Sequence, residues 1–252
     1  MNHRSRLLSV SAFALLVLRL HAATFTLNPI ADAFVTTGPS GNLSLNNYGG
    51  AGALSIAAPG LARGEFQSVL QFDLSAARAS FDAQFGAGQW SIQSISLSLT
   101  ATAPNNSIFN SSAAGLFGIS WMQNDSWVEG TGTPAVPTTT GITFASLPTF
   151  LGAGDESLGT FSFGGGTNGA ATYSLGLTSG FSSDALGGNV VSFRLFAADS
   201  AVSYLSDSRS FGTVSARPLL SIVAVPEPGA ICVLAIGIAV LAGTRFSRGK
   251  TR

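Results

Sequence analysis

Across 252 residues the chain carries 12 basic and 12 acidic side chains, so its formal net charge is zero and only 10% of its residues are charged. His3, His21, the only cysteine (Cys232) and the only lysine (Lys250) all fall in the first 23 or last 28 residues, and Thr24–Val225 between them sets five arginines against eleven carboxylates, a net of −6. That interior excludes a Ser-His-Asp triad, a zinc site of the usual kind, a Schiff-base lysine, a disulfide framework and nucleic-acid binding by counterion release.

From the N-terminus, residues 1–23 have the order of a secretory signal peptide: Arg4 and Arg6, then Leu7–Leu18 without a charge, then the small residues Ala22 and Ala23. A helix here is expected to engage the Sec translocon and to be removed on export. Arg19 and His21 beside the cleavage region leave the exact bond open.

Residues 24–224 are long enough to bury one core. Gly, Ser, Thr, Ala and Asn are abundant in this stretch, but its aromatic and aliphatic content argues against disorder. Apolar residues alternate with Ser and Thr at period two, the strand signature. Strands are expected at Thr24–Leu27, Ala33–Val35, Leu54–Ala57, Ser68–Asp73, Ile92–Thr100, Leu116–Trp121, Gly159–Phe163, Ala171–Leu175, Val190–Ala197, Val202–Tyr204 and Pro218–Val223. Ile92–Thr100 is the clearest, with Ile95, Leu97 and Leu99 toward a core and Ser96, Ser98 and Thr100 toward water. Val190–Phe196 is nearly continuous in bulky residues, which marks a central strand. Only Leu74–Phe85 has a helical pattern, while Thr37–Gly41 and Ser179-Gly180 read as turns. The longest irregular stretch, Gly130–Ala153, contains Pro134, Pro137 and Pro148. A loop of that length inside a domain is usually functional or mobile. The expected fold class is all-β, a single β-sandwich or jelly roll, flanked by an N-terminal signal helix and a C-terminal transmembrane helix.

Residues 225–252 have three parts in order: Pro226-Glu227-Pro228, the apolar run Ala230–Ala242, and the basic residues Arg245, Arg248, Lys250 and Arg252. The prolines keep the hinge extended. Residues 228–244 just reach the length of a membrane-spanning helix, about 17–25 residues, and the basic residues would stop transfer. This tail resembles the PEP-CTERM sorting signal of Gram-negative bacteria. The resemblance covers residues 225–252 and implies recognition by exosortase in the inner membrane. It further implies cleavage near Pro226-Glu227-Pro228 and delivery to the cell surface, often alongside exopolysaccharide. A plain C-terminal anchor is the alternative.

The interior is similar to the DNRLRE family of secreted β-sandwich modules, which resemble carbohydrate-binding modules. The residues that carry the similarity are Ile30–Val35, Asn47-Tyr48-Gly49, Gln67–Leu74, Ile95–Leu99, Trp127-Val128-Glu129-Gly130, Gly141–Phe144 and Arg217–Ile222. The chain departs from the family at Gln71, where a basic residue is more usual, and at Gly141–Phe144, which lacks a Trp-Asn pair. The resemblance implies an extracellular sandwich and no particular activity.

Three constellations bear on chemistry. Asp125 and Glu129 flank Trp127, and paired carboxylates hydrolyse glycosidic bonds when about 5–9.5 Å apart; a polar turn is the competing account. Asp32 with Asp73, and Asp155 with Glu156, offer oxygen ligands to a structural calcium, against the simpler account of solvated carboxylates. No other cofactor is expected. Trp127, in a polar loop, is the aromatic residue expected to be exposed for carbohydrate contact, although aromatics in sandwiches more often serve the core. The expectation is a non-enzymatic, exported surface or matrix protein with a structural or adhesive sandwich. It is held transiently in the inner membrane and does not bind nucleic acid. The alternatives are a non-catalytic carbohydrate-binding module and a carboxylate-dependent polysaccharide hydrolase or lyase.

Overall fold

Residues 21–227 are described by the computed structural model. The expected signal segment up to residue 20, Pro228, the expected transmembrane helix (228–244) and Arg245, Arg248, Lys250 and Arg252 lie outside the described residues. No helix among the described residues is long and apolar enough to cross a membrane.

The period-two segments become strands: β1 (Ala23–Leu27), β2 (Ala31–Thr36), β3 (Ala53–Ala57), β4 (Phe66–Asp73), β5 (Trp90–Thr100), β6 (Gly115–Met122), β7 (Glu156–Phe163), β8 (Ala170–Leu175), β9 (Val190–Ala197), β10 (Ser203–Asp207) and β11 (Leu219–Pro226). They form two sheets with antiparallel pairing throughout. One sheet has the order β1-β11-β5-β8; the other has the order β10-β3-β4-β9-β6-β7, with β2 also paired to β4. The strand read as central, β9, lies between β4 and β6.

The core lies between the sheets. Ile95, Leu97, Leu99, Leu220 and Ile222 face Leu70, Phe72, Phe117, Ile119, Val191, Phe193 and Leu195 within one cluster of buried side chains. Burying each such side chain contributes about 1.5–3 kcal/mol. Tyr173 of β8 and Tyr204 of β10 meet inside this core with their hydroxyls 3.4 Å apart. The β6–β7 register shifts after Ile119, and the carbonyl of the extra residue, Leu158, accepts the Gly176 N–H at 2.7 Å. This β-bulge ties β7 to the end of β8 in the other sheet.

Two helices pack on the core. The first, α1 (Ser75–Phe85), matches the expected helix and buries Ala77 and Phe81. The second, α2 (Ser179–Gly187), buries Phe181 and Ala185 where a turn was expected. Its sequence, SGFSSDALG, has weak helical propensity. Tertiary contacts supply what propensity lacks: Phe181 lies against Phe193 with ring centroids 5.4 Å apart, and a carboxylate from β7 caps its N-terminus.

The outer face of the larger sheet is covered as well. Loop residues Trp127, Ile142 and Leu147 pack on Ala33, Val35, Val69 and Met122. Tyr48 and Phe109 pack on Phe34, Phe66 and Leu205. With both faces covered, β2 to β4 are buried almost throughout, which accounts for their lack of clean alternation.

Candidate functional site

The long connection from β6 to β7, residues 123–155, carries most of the residues singled out for chemistry. Three anchors fix it to the larger sheet. At the first, Trp127 is 3% exposed and its Nε1–H donates to Ser192 Oγ on β9 at 2.9 Å. This corrects the expectation of an exposed Trp127: the outer face of the sheet needs an apolar cover, and Trp127 supplies it, so its ring is not available to a sugar. Gln71 donates to the Asp125 carbonyl at 2.8 Å and so holds the same segment.

The second anchor is Asn47, which is fully buried. Its Nδ2 donates to the carbonyls of Glu129 (2.6 Å) and Ile142 (2.7 Å). Its Oδ1 accepts the N–H groups of Gly49 and Gly132, each at 3.1 Å. Both N–H donors and both oxygen lone pairs of the amide are thus used. Gly130, at φ +76°, sits so close that a Cβ there would collide with Asn47 Oδ1 and the Thr140 carbonyl. Segments far apart in sequence, around Asn47, Glu129 and Ile142, therefore meet in one structural knot.

The third anchor is ionic. Glu129 Oε1 accepts from Arg209 Nε at 2.7 Å and from the Asp32 N–H at 3.1 Å, and Arg209 Nη2 reaches Oε2. Asp32, 1% exposed, accepts the Arg209 backbone N–H on Oδ2 at 2.7 Å, while its Oδ1 has no partner. Burial raises the Asp32 carboxyl to about 7, against the pull of the Arg209 N–H and with a further push from the Glu129 charge. The Glu129 contact in turn raises the pKa of Arg209.

Between residues 123–126 and 149–155 lies an open cleft of about 480 Å³. Asp125 and Asp155 line it with Phe150 and Asn124. Asp155 spans it, accepting the Gln123 N–H on Oδ1 (3.0 Å) and the Gly152 N–H on Oδ2 (3.1 Å). Burial raises the Asp125 carboxyl against hydrogen bonding by Ser192. Glu129 does not line this cleft; it is held by Arg209 instead. Asp125 and Glu129 thus occupy different surroundings, and their pairing across a glycosidic bond finds no support in the geometry.

The calcium candidates are engaged with protein donors. Asp73 Oδ1 accepts the Ser75 N–H at the start of α1. Glu156 accepts the N–H groups of Gly180 and Phe181, each at 2.9 Å, and the hydroxyls of Thr178 and Ser179. These donors lower the Glu156 carboxyl to about 2, the Thr178 hydroxyl contributing most. Among the described residues no group of three or more His, Cys, Asp or Glu side chains gathers as a metal site would require.

Of the expected sorting motif, Pro226 ends β11 opposite Trp90, and the Glu227 N–H donates to the Gln89 carbonyl at 2.9 Å. Sequence reasoning did not single out Arg209, whose partners lie 80 and 177 residues away; no local pattern marks such a contact. No family model matches the chain, and no curated protein matches it significantly.

Proposed function

We propose that this chain is an exported surface protein whose β-sandwich acts as a structural or adhesive module of an extracellular matrix, after sorting by an exosortase at Pro226-Glu227-Pro228. The jelly-roll class, the signal helix and the transmembrane helix at 228–244 belong to the same proposal, as do the partnership with the Sec translocon, transient residence in the inner membrane and association with exopolysaccharide.

The observation that carries it is the position of the motif against the fold. The last strand pairs with β5 as far as Pro226, and Glu227 makes one further backbone bond. Among the described residues the last strand thus reaches the motif, so a cut there would release the sandwich with this strand whole. A proline at the strand end also limits further pairing, since it has no N–H to donate. The way the interior carboxylates are used favours a non-enzymatic module: Glu129, Asp155 and Glu156 hold loops and a helix end.

The test is the intact mass of the protein recovered from the cell surface. A C-terminus within Pro226–Pro228 is expected, and replacing Pro226-Glu227-Pro228 by alanines should leave uncut protein in the inner membrane. A surface form that retains Arg252, or unchanged processing of the alanine variant, would overturn the sorting proposal.

A further inference from the structure

Both end strands of the larger sheet have partners on their outer edges. Beside β10, Ala101 and Ala113 bridge to Ser206 and Ser203. Beside β7, the Leu158 carbonyl accepts the Gly176 N–H. The end strand β8 of the smaller sheet differs. It pairs with β5 on one side, and among the described residues no backbone group of Ala170–Ser174 bonds on the other. Two flanking bonds fix the direction of its peptide groups. The Ala101 N–H donates to the Gly169 carbonyl at 2.9 Å, continuing the β5–β8 ladder, so the odd-numbered residues of β8 turn their N–H and C=O toward β5. The Gly176 N–H points the other way, to Leu158. Ala170, Thr172 and Ser174 therefore present an unpaired row of N–H and C=O groups, and all three residues are exposed.

Such a row is a template for another strand, and sheet edges are ordinarily kept apart by charged side chains, prolines or bulges. β8 has none of these. From Ser157 to Ser183 there is no charged residue and no proline, and the β5–β8 register runs without a shift. Tyr173 and Leu175 are buried in the core, so the edge is held in place before any partner arrives. Its chemistry selects the partner. A foreign peptide gains specificity from side-chain pockets beside the edge, and Ala170, Thr172 and Ser174 are too small to form them. A second copy needs none, because the row is self-complementary. A two-fold axis at Thr172 sets Thr172 against Thr172 and Ala170 against Ser174, matching each N–H with a C=O. Charge favours the same place. Thr24–Val225 carries five arginines against eleven carboxylates, so copies repel one another, and an uncharged edge lets two meet without opposing like charges.

We propose that β8 is a self-association edge. Two copies pair their β8 strands antiparallel about a two-fold axis at Thr172, joining their four-stranded sheets into one continuous sheet. One short strand from each copy makes a small contact, so the pairing is weak in dilute solution and takes effect where copies are crowded. The proposal goes beyond the sorting reading and does not depend on it.

The test is sedimentation equilibrium of the full chain in mild detergent at protein concentrations up to about 1 mM, together with thiol cross-linking in a Cys232→Ser background. Concentration-dependent dimers are expected. Thr172→Lys should weaken them roughly tenfold or more, because two lysines would face each other at the axis. Ser174→Pro, which removes an outward N–H and leaves the β5 ladder whole, should act in the same direction. Thr172→Cys should be captured as a covalent dimer by a short bis-maleimide, since the paired Cα atoms lie about 5.5 Å apart. Thr26→Cys on β1, at the far end of the same sheet, should not be captured. The cross-link decides the matter if the lysine or proline variant fails to fold. Three outcomes overturn the proposal: a monomer over the whole concentration range, association unchanged in a folded Thr172→Lys variant, or cross-linking at Thr26 as efficient as at Thr172.

Discussion

The indole N–H of Trp127 donates to the hydroxyl of Ser192 across 2.9 Å, joining a loop residue to the central strand on the outer face of the larger sheet. Ser192 is itself fully buried. Replacing it with alanine leaves the Trp127 N–H buried without an acceptor, which costs about 1–3 kcal/mol. The unfolding free energy of Ser192→Ala should fall by that amount, seen as a lower denaturation midpoint at unchanged slope. A smaller loss would mean that the indole finds another acceptor. All three tryptophans, Trp90, Trp121 and Trp127, are buried, so native fluorescence should be blue-shifted and poorly quenched by acrylamide.

Asn47 governs the order of the long loop. In Asn47→Asp an acceptor replaces the Nδ2 donor opposite the Glu129 and Ile142 carbonyls, and each buried acceptor left without its donor costs about 1–3 kcal/mol. Limited proteolysis of the variant should cut first within residues 128–142 while the strands stay protected. Loss of protection in β4 and β9 at the same rate would show that the loop and the sandwich unfold together.

The pH dependence of stability has opposite signs on its two sides. Asp32 has a native value of about 7, above its ordinary 3.8, so its contribution is fully present below about pH 4 and is lost as pH rises toward 7. At about 1.4 kcal/mol per unit the loss is on the order of 4 kcal/mol. Glu156, lowered to about 2 from 4.5, contributes above about pH 4.5 and loses that contribution as pH falls toward 2; Asp73 and Asp199 are lowered too and act the same way. Stability should therefore peak near pH 4–5, by the same linkage. Asp32→Asn should flatten most of the decline above the peak, leaving the smaller slope of Asp125 and Asp207, whose carboxyls are also raised. Denaturant midpoints from pH 2 to 8 would measure this, and an Asp32→Asn curve as steep as the parent's would refute the assignment.

Glu156 caps a helix that belongs to a different part of the chain. Glu156→Ala removes the acceptor for the Gly180 and Phe181 N–H groups, and these amides at the start of α2 should exchange with solvent first. The melting temperature should drop, and it should drop less below pH 3, where the parent carboxylate is itself becoming protonated. Equal exchange along all of α2 would argue that packing of Phe181, not the cap, holds the helix.

The positions of the strands and of α1 were legible in the amino-acid sequence because they follow local periodicity. Ile95, Leu97 and Leu99 point inward and β9 is central for reasons visible within nine residues of chain. The absence of His, Cys and Lys from the interior, and the order of the terminal segments, are likewise properties of the sequence alone. Tertiary structure decided the rest, because the deciding contacts are made between residues far apart in the chain. Trp127 sits among polar neighbours and gives no periodic signal; it is buried because the outer face of the larger sheet must be shielded from water. The weak helix α2 forms because Phe181 fills the core and Glu156 meets its free amides. Glu129 is engaged by an arginine 80 residues away, and Asp207 is buried only when Thr102, Gly52 and Phe211 are brought around it. Periodicity fixes which residues face inward; burial and long-range pairing fix what each polar group is left to do.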